Sequence, residues 1–262
     1  MQREPLSVVV ITLNNAATLD ACLSGVDWAD EIVVLDSGST DDTLAIARLH
    51  GARVAMHPFD EFGPQKQRAI DMASHDWILN LDADEVLSPA SRAVIERALV
   101  NPRCAGFRLP RRERMFWTVQ HPWSWRNAHL RLYDRRRGRM NDVEVHSAME
   151  VDGPVKTLWR ADFINDSDPD IASRIERINR YSSALVAHKL RRRQRFTGLR
   201  MVLYPPVFFL RQYLFKRYFL NGWAGFITSV VGANYVFLKY AKLHEARRTG
   251  KRESRVESRN GP

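Results

Sequence analysis

Two aspartates separated by one residue, Asp82 and Asp84, are the first candidates for chemistry in this sequence of 262 residues. They directly follow the apolar run 77–81, so a buried strand would bring both carboxylates to solvent. Carboxylate oxygens suit Mg²⁺ or Mn²⁺, which keep part of their coordination shell for water and phosphate. The pair could therefore share a hard cation and a ribose. The alternative is that both acids cap the helix that follows.

Asp36 ends a second apolar run, Glu31–Asp36, and precedes the turn Ser37-Gly38-Ser39. Its carboxylate could accept a hydrogen bond from a nucleobase N–H, which would place a nucleotide beside the acidic pair. The alternative is that Asp36 only introduces the next helix. Acids at the ends of two strands of one sheet favour the nucleotide pocket.

The segments around these acids alternate between strand and helix patterns. β-Branched runs predict strands, and apolar residues three to four positions apart predict helices. The predicted strands are 6–13, 31–36, 53–57 and 77–81, and the predicted helices are 18–26, 40–50, 64–73 and 89–99. This order implies an α/β fold with a mostly parallel sheet and flanking helices. Ligands of such sheets bind beyond the carboxyl ends of the strands, where Asp36, Asp82 and Asp84 lie.

Charge divides the chain into an acidic and a basic part. Residues 1–100 have a net charge of −9 and residues 101–262 of +19, within +10 for the whole chain. A uniformly basic nucleic-acid-binding protein would not show this division. The two cysteines, Cys22 and Cys104, are typical of a reducing compartment rather than of a disulfide-stabilised fold, and no secretory signal is expected at Met1.

Longer stretches of the sequence resemble a known family. The runs SVVVITLNNAATLDACLSGVDWADEIVVLDSGSTDDTLAIARLHGARV and GPQKQRAIDMASHDWILNLDADEVLSP are similar to the nucleotide-binding half of family 2 glycosyltransferases. The runs RLYDRRRGRMNDVEVH, INRYSS and FLKYAKLHE are similar to a bacterial subgroup that includes the lipopolysaccharide core β-glucosyltransferases. The resemblance covers roughly residues 5–245. It implies a Rossmann-like GT-A fold and inverting sugar transfer.

The resemblance also implies a site for a nucleotide-sugar donor, with a UDP-sugar favoured. Thr12 and Asn14 would line the nucleotide pocket, and Asp36 would recognise the base. Asp82 would hold the ribose or a metal-bound water, and Asp84 would bind the Mg²⁺ or Mn²⁺ that bridges the diphosphate. The polar helix start that would face the donor comprises Gln65, Lys66 and Arg68. A solvated helix face is the alternative for its two cations.

Inverting transfer needs a base that takes the proton of the acceptor hydroxyl. The resemblance indicates Asp142 as the first candidate, Glu144 as a substitute and His146 as a further metal ligand. For both acids, pairing with the nearby arginines is the alternative. The chain departs from the subgroup at Ser147, where a glutamate is usual, and at Asn165, where a histidine is common.

Arginines and tryptophans are interleaved between residues 111 and 131. They are Arg111, Arg112, Arg114, Arg126 and Arg131 with Trp117, Trp123 and Trp125. Indoles can stack on a sugar while guanidinium groups bind anionic groups, and this predicts an acceptor site. The predicted acceptor-binding residues are Arg111, Trp123, Trp125 and Arg131. Single-stranded nucleic acid is an alternative ligand, and two of the three tryptophans are expected to be partly buried because tryptophan is common in cores.

The basic part contains an uncharged stretch, residues 218–238. Its length permits a transmembrane helix, but glycine and polar residues interrupt it. The aromatic and basic segment 204–219 favours helices that lie at an anionic membrane surface, with an ordinary core as a third possibility. We expect a GT-A nucleotide-sugar-binding and catalytic domain at 1–165, a C-terminal helical, membrane-associating and acceptor-binding region at 166–245, and a disordered tail at 246–262.

The leading hypothesis is a metal-dependent inverting glycosyltransferase that is peripheral on the cytoplasmic face of the inner membrane. It would transfer a sugar from a nucleotide-sugar to a lipopolysaccharide-core or other lipid-linked acceptor. A nucleic-acid-binding protein is a second hypothesis, but the acidic first part argues against it, so we expect no nucleic-acid partner. A non-catalytic nucleotide-sugar-binding scaffold is a third, which Ser147 and Asn165 suggest. A phosphotransferase with an aspartate nucleophile is disfavoured, because that nucleophile normally follows the first strand of its domain.

Overall fold

The computed structural model describes residues 2–141, 148–166, 170–191 and 197–257. The chain forms two compact units. Unit 1 consists of Met1–Glu113 and Arg126–Ser167, and unit 2 consists of Arg114–Trp125 and Asp168–Pro262. Unit 1 contains the predicted parallel sheet, and unit 2 is mainly helical.

The four predicted strands and the four predicted helices are present, with bounds that agree to within a few residues. The strands are β1 (Leu6–Thr12), β2 (Glu31–Asp36), β3 (Arg53–Met56), β4 (Trp77–Asp82), β5 (Glu85–Leu87), β6 (Gly106–Met115), β7 (Thr118–Val119), β8 (Ala128–Asp134), β9 (Gly138–Met140), β10 (Met149–Val151), β11 (Val155–Thr157) and β12 (Phe163–Asn165). The helices are α1 (Ala16–Ser24), α2 (Thr43–Leu49), α3 (Phe62–Met72), α4 (Ser91–Ala98), α5 (Ile171–Arg191), α6 (Thr197–Leu210) and α7 (Gly222–Glu257).

Ten strands of the described residues form one sheet. Its order is β3-β2-β1-β4-β8-β6-β12-β5, with β7 and β11 also paired to β6. The first four strands in this order are parallel, whereas β8 is antiparallel to both of its neighbours. The predicted α/β fold with a mostly parallel sheet and flanking helices is therefore confirmed.

Strand β1 is buried on both of its faces because helices cover both sides of the sheet. Val8 and Val10 belong to the same core cluster as Leu19 and Leu23 of α1. Val9 belongs to the second cluster, together with residues of α3. Successive side chains of a strand point to opposite faces, so these residues set the register of β1. The register in turn determines where the strand ends.

Glu31 connects three segments at the amino end of the parallel strands. Its carboxylate accepts hydrogen bonds from Ser7 Oγ at 2.5 Å, from the Ser74 backbone N–H at 2.7 Å and from Ser74 Oγ at 2.8 Å. An ion pair with Arg53 at 2.9 Å adds to these bonds. Burial disfavours the charge, but the donors outweigh it and lower the pKa of Glu31 to about 2. The ionised carboxylate is therefore favoured in the folded state.

We expect Glu31→Gln to lower the free energy of unfolding by about 2 kcal/mol, because an amide nitrogen would face donors that now bind a carboxylate oxygen. The folded pKa lies below the unfolded one, so this contribution is complete above the unfolded value and is lost as the pH falls towards about 2. Urea unfolding between pH 3 and 7 would measure it. Glu61→Gln, at an exposed position, is the matched control, and an equal loss in both variants would contradict the prediction.

In the described part of unit 2, helix α7 contacts both α5 and α6. Phe208 of α6 lies against Gly232 of α7, where an added Cβ would come within 2.7 Å of the ring. Lys242 of α7 donates from Nζ to the Asn179 carbonyl at 2.8 Å and to Ser183 Oγ at 2.7 Å, which joins α7 to α5. Close packing and side-chain hydrogen bonds therefore both hold α7 in unit 2.

Two predicted boundaries need correction. Residues 114–125, predicted within the first domain, belong to unit 2 because Phe116 packs with Tyr218 and Ala224. Helix α7 continues to Glu257, through much of the tail that the sequence predicts to be disordered. This stretch is rich in Arg, Lys and Glu and lacks proline, a composition that favours helix. None of the helices in the described part of the chain is long and apolar enough to cross a membrane.

Candidate functional site

The carboxyl ends of β1, β2 and β4 bring several predicted site residues to one edge of the sheet. In the parallel pair β1–β2, Thr12 lies opposite Asp36. In the parallel pair β1–β4, Ile11 lies opposite Asp82. The side chains of Thr12, Asp36 and Asp82 therefore emerge from three adjacent strands at the same edge. Ligands of parallel α/β sheets bind at such an edge.

Asp36 is fully buried and organises the turn that follows β2. Its Oδ1 accepts hydrogen bonds from the backbone N–H groups of Gly38 and Ser39, both at 2.8 Å. Its Oδ2 accepts from Ser39 Oγ at 2.5 Å. Gly38 has φ +104°, a conformation that glycine adopts without a steric penalty. The carboxylate thus sets the shape of the loop beside the predicted nucleotide pocket.

Asn14 connects the loop after β1 to the loop after β2. It has φ 53°, which asparagine tolerates better than most residues. Its N–H donates to Ser39 Oγ at 2.8 Å, and its Oδ1 accepts from the Thr40 N–H at 2.8 Å. Thr12 Oγ1 donates to Asn15 Oδ1 at 3.1 Å. The two loops form one hydrogen-bonded surface, which we call the polar wall (residues 12–15 and 36–40).

The polar start of α3 lies against the same loops. Gln65 is buried, and its Nε2 donates to Ser37 Oγ at 3.1 Å and to the His57 carbonyl at 3.0 Å. Arg68 pairs with Asp60 at 2.6 Å, and both side chains are about 40% exposed. Gln65 therefore supports the polar wall, and Arg68 also donates to Gln65 Oε1 at 3.3 Å.

Four charged side chains meet at the end of β4. Lys66 Nζ contacts Asp82 Oδ1 at 2.5 Å, and Arg131 of β8 donates to Asp82 Oδ2 at 3.0 Å. Arg131 also pairs with the buried carboxylate of Glu85. That carboxylate accepts from the Asp82 backbone N–H at 3.1 Å. We call Lys66, Asp82, Glu85 and Arg131 the charged cluster.

Burial and mutual charge shift the pKa values in the charged cluster in opposite directions. Burial disfavours ionised Asp82, but Lys66 and Arg131 outweigh it and hold its pKa well below the usual range. Burial and the Asp82 charge together outweigh the opposing charge of Arg131 and raise the pKa of Glu85 to about 7. For Arg131, burial acts against the charge, but Glu85 and Asp82 raise its pKa above the ordinary value. Arg131 therefore stays charged and holds both acids.

The charged cluster corrects one predicted role and adds one residue. The sequence predicts that Arg131 binds the acceptor, but its guanidinium is buried between Asp82 and Glu85, because β8 pairs with β4 in the sheet. Glu85 was not predicted as a site residue. Its place directly after the acidic pair was the available signal, but a buried acid needs a cation partner, and the sequence does not show which cation that is.

Asp84 lies beside the charged cluster and differs from Asp82 in its surroundings. Burial, and then the negative charge of Asp82, raise the pKa of Asp84. Asn165 Nδ2 approaches its Oδ2 at 3.5 Å. A bound cation would relieve the unfavourable charge, and Mg²⁺ commonly binds through one or two carboxylates plus phosphate and water. Asp84 therefore fits one ligand position of a divalent cation.

No group of three His, Cys, Asp or Glu side chains that could hold a metal ion occurs within the described residues. Asp82 is already engaged by two cations, and His146, predicted as a further metal ligand beside Asp84, lies outside those residues. The metal assignment therefore depends on Asp84.

A protein-family model, Glycosyl transferase family 2, matches residues 7–152, which include the polar wall and the charged cluster. The chain belongs to glycosyltransferase family 2. The same family was identified from the sequence runs quoted above, so the predicted enzyme class is confirmed.

Relatives of this glycosyltransferase span nearly the whole chain. The lipopolysaccharide core biosynthesis glycosyltransferase LpsC of Rhizobium meliloti is 30% identical over 249 residues, which cover 92% of each chain. An uncharacterized glycosyltransferase of Rickettsia typhi is 28% identical and covers 92% of this chain and 87% of its own. The resemblance to lipopolysaccharide core enzymes is thereby confirmed.

Among solved structures, the likeness is partial. Glucosyl-3-phosphoglycerate synthase from Mycobacterium tuberculosis, crystallised with Mn²⁺, UDP and glucosyl-3-phosphoglycerate, is 27% identical with a TM-score of 0.36. The match covers 42% of this chain and 44% of that protein.

The remaining predicted site residues of this glycosyltransferase are the base and further metal candidates and the acceptor-binding residues. The base and metal candidates Asp142, Glu144 and His146 lie outside the described residues. In unit 1, Arg111 pairs with Glu113 at 2.6 Å. In unit 2, Trp117, Trp123 and Trp125 are exposed by 65%, 76% and 64%, so the expectation that two of them would be partly buried is wrong. All three indoles lie at the surface of unit 2.

Proposed function

We propose that this family 2 glycosyltransferase carries out metal-dependent, inverting transfer of a sugar from a nucleotide-sugar to a lipopolysaccharide-core or other lipid-linked acceptor. A UDP-sugar is the favoured donor. The supporting observation is that the polar wall, the charged cluster and Asp84 lie together at the carboxyl edge of the sheet. These groups match the parts of a nucleotide-sugar in chemical character.

Each part of the donor has a candidate partner at this edge. We assign the nucleoside to the polar wall, which contains Asn14 and the buried residues Thr12 and Asp36. We assign the ribose to Asp82. Lys66 contacts Asp82 in the structure, and its long flexible side chain also suits an ammonium contact to a diphosphate oxygen. Arg131 is a less suitable phosphate ligand because two carboxylates already hold it.

Asp84 is the residue that would hold Mg²⁺ or Mn²⁺. Such a cation supplies positive charge that stabilises a departing diphosphate without a proton transfer. The raised pKa of Asp84 supports this assignment, since a carboxylate in that environment gains from a bound cation.

The transfer step follows from inverting chemistry. The acceptor oxygen forms a bond to the anomeric carbon while the bond from that carbon to the diphosphate oxygen breaks. A carboxylate takes the proton of the acceptor hydroxyl. We assign this base to Asp142, with Glu144 as the substitute and His146 as an additional metal ligand, as the sequence resemblance implies.

The acceptor is assigned from the relatives and from the charge of the chain. LpsC is a lipopolysaccharide core biosynthesis enzyme by name, and residues 101–262 have a net charge of +19, which suits acceptor phosphates. Arg111, Trp123 and Trp125 remain the proposed acceptor-binding residues. A lipid-linked acceptor places the enzyme at the cytoplasmic face of the inner membrane as a peripheral protein.

Donor screening tests the proposal. The melting temperature of the full chain would be measured with UDP-, GDP-, dTDP- and ADP-sugars, with and without Mn²⁺. We expect one UDP-sugar with Mn²⁺ to raise it by about 5–10 °C at roughly a hundredfold excess over Kd. Mn²⁺ alone is the control. A response to no nucleotide-sugar, or an equal response without metal, would contradict the proposal.

A further inference from the structure

Helix α6 of unit 2 presents a stripe of aliphatic side chains to the outside. Leu199, Val202, Leu203, Val207 and Leu210 are all exposed and recur at helical spacing along one side of the helix. Another side packs on α7, where Phe208 meets Gly232. A water-facing helix normally has charged and polar residues in such a stripe. The outer side of α6 is therefore apolar where water would favour polar groups.

The first turns of helix α7 also expose large apolar side chains to the outside. Trp223, Phe226 and Val230 are exposed at three- and four-residue spacing, and Trp223 is 75% exposed. The buried side of this segment carries small residues, among them Thr228 and Ser229. Ser229 Oγ donates a hydrogen bond to the Gly225 carbonyl of the same helix at 2.8 Å. Small and polar residues thus face the protein, and large apolar residues face outward.

Aromatic rings from α6, from α7 and from the segment between them form a cluster. Phe226 contacts the rings of Phe209, Tyr213 and Trp223 at centroid distances of 5.7, 5.8 and 5.9 Å. Phe215, in the π-helical turn between the two helices, is 78% exposed. The α6 stripe and the start of α7 are therefore joined by a continuous aromatic surface.

Residues 114–125, which comprise the β6–β7 hairpin and the loop that follows it, are hydrogen-bonded to this connection. The Trp125 N–H donates to the Lys216 carbonyl at 3.0 Å, and Ser124 Oγ donates to the Arg217 carbonyl at 3.0 Å. This segment thereby places its exposed tryptophans in the same unit as the apolar helices. Tryptophan is enriched where proteins meet the interface of a membrane with water.

The charged side chains of α6, the α6–α7 connection and the first half of α7 are all cationic. Residues 197–243 contain no aspartate or glutamate, and their cations are Arg200, Arg211, Lys216, Arg217, Lys239 and Lys242. Arg211 is exposed and lies over the Phe208 ring at 5.3 Å, beside the aliphatic stripe. Apolar side chains interleaved with cations complement anionic headgroups above an acyl layer. A second copy of the chain would bring like charges together.

We propose that unit 2 binds the surface of an anionic phospholipid bilayer through a lipid face formed by the outer stripe of α6, the α6–α7 connection and the start of α7. This inference rests on the proposed function only for its purpose, which is to bring the enzyme to a lipid-linked acceptor. The binding itself depends on unit 2 and needs no donor.

Co-sedimentation of the full chain with vesicles tests the proposal. Vesicles of phosphatidylcholine alone would be compared with vesicles that also contain phosphatidylglycerol. We expect binding to the anionic vesicles, and we expect Leu203→Ser/Val207→Ser and Phe215→Ser/Trp223→Ser each to weaken it by at least about tenfold. Leu49→Ser in unit 1 is the matched control, since Leu49 is 84% exposed outside the lipid face. Its binding should equal that of the unchanged chain.

A separate variant measures how much the cations contribute to vesicle binding. Arg211→Gln/Lys216→Gln should weaken binding to anionic vesicles by about fivefold per removed charge and leave the weaker binding to neutral vesicles unchanged. Unchanged binding of this variant to anionic vesicles would overturn the assignment to anionic lipid.

Two further results would overturn the proposal. One is equal vesicle binding by Leu203→Ser/Val207→Ser and Leu49→Ser. The other is a dimer in sedimentation velocity that Leu203→Ser/Val207→Ser disperses, combined with no vesicle binding by the unchanged chain. Donor-induced melting shifts measured on the same proteins separate the two proposals. Vesicle binding without a donor response contradicts only the proposed function, and the reverse contradicts only the lipid face.

Discussion

Asp84→Asn is expected to lower the rate of sugar transfer by roughly a thousandfold, because the diphosphate would lose the cation that stabilises its departure. The fold should persist. Burial and the Asp82 charge already disfavour ionised Asp84, so a neutral amide should leave the free energy of unfolding unchanged or slightly higher. Transfer would be measured with the donor identified by screening, and stability by urea unfolding.

A binding measurement separates loss of metal from loss of donor. In Asp84→Asn, the Mn²⁺-dependent part of the donor-induced melting shift should disappear. Asp27→Asn, at an exposed position in unit 1, is the matched control and should keep both transfer and the shift. Full transfer by Asp84→Asn with Mg²⁺ or Mn²⁺ would show that this carboxylate does not hold the metal.

Arg131→Met is expected to lower the free energy of unfolding by about 3–5 kcal/mol, since it leaves buried Glu85 without its cation and removes one of the two partners of Asp82. The pKa of Glu85, already raised by burial, should rise further. Adding Glu85→Gln should recover part of the loss, because the amide carries no charge that needs compensation. Urea unfolding of the two single variants and the double variant would measure the coupling.

Arg92→Met provides the comparison for Arg131→Met. Arg92 pairs with Glu96 at 3.1 Å on the surface of α4, so its removal should cost about 1 kcal/mol or less. Strictly additive effects of Arg131→Met and Glu85→Gln would mean that the charged cluster does not act as a unit. If Arg92→Met and Arg131→Met lowered the free energy of unfolding equally, burial of the Arg131 ion pairs would not explain their contribution to stability.

The strands and the residues at their ends could be predicted because both depend on near neighbours in the sequence. The run Glu31–Asp36 is β-branched and apolar and ends at an acid, and the structure has a strand with the same bounds. The same reasoning placed Asp82 beyond a buried strand, and β4 ends at that residue. Parallel pairing then brings both acids to one edge without further information.

The partners of these acids could not be predicted in the same way. Arg131 lies 49 residues after Asp82, and nothing in the spacing indicates that β8 pairs with β4. Its neighbourhood in the sequence is rich in arginine and tryptophan, which led to the prediction of an acceptor role. Whether a cation is buried against an acid or left at the surface depends on strand pairing. That pairing is a long-range property of the chain.

The strand periodicity and the acids at strand ends predicted the α/β sheet and its ligand-binding edge, because both are local patterns of the sequence. The family was indicated by the resemblance of longer sequence runs to family 2 glycosyltransferases and is shown by the family model. The tertiary structure decided that Lys66 and Arg131 hold Asp82 and that Glu85 is buried beside it. It also decided that α6 and the start of α7 turn large apolar residues outward. Each of these depends on which segments pack together, because burial and charge pairing arise only when residues distant in sequence meet.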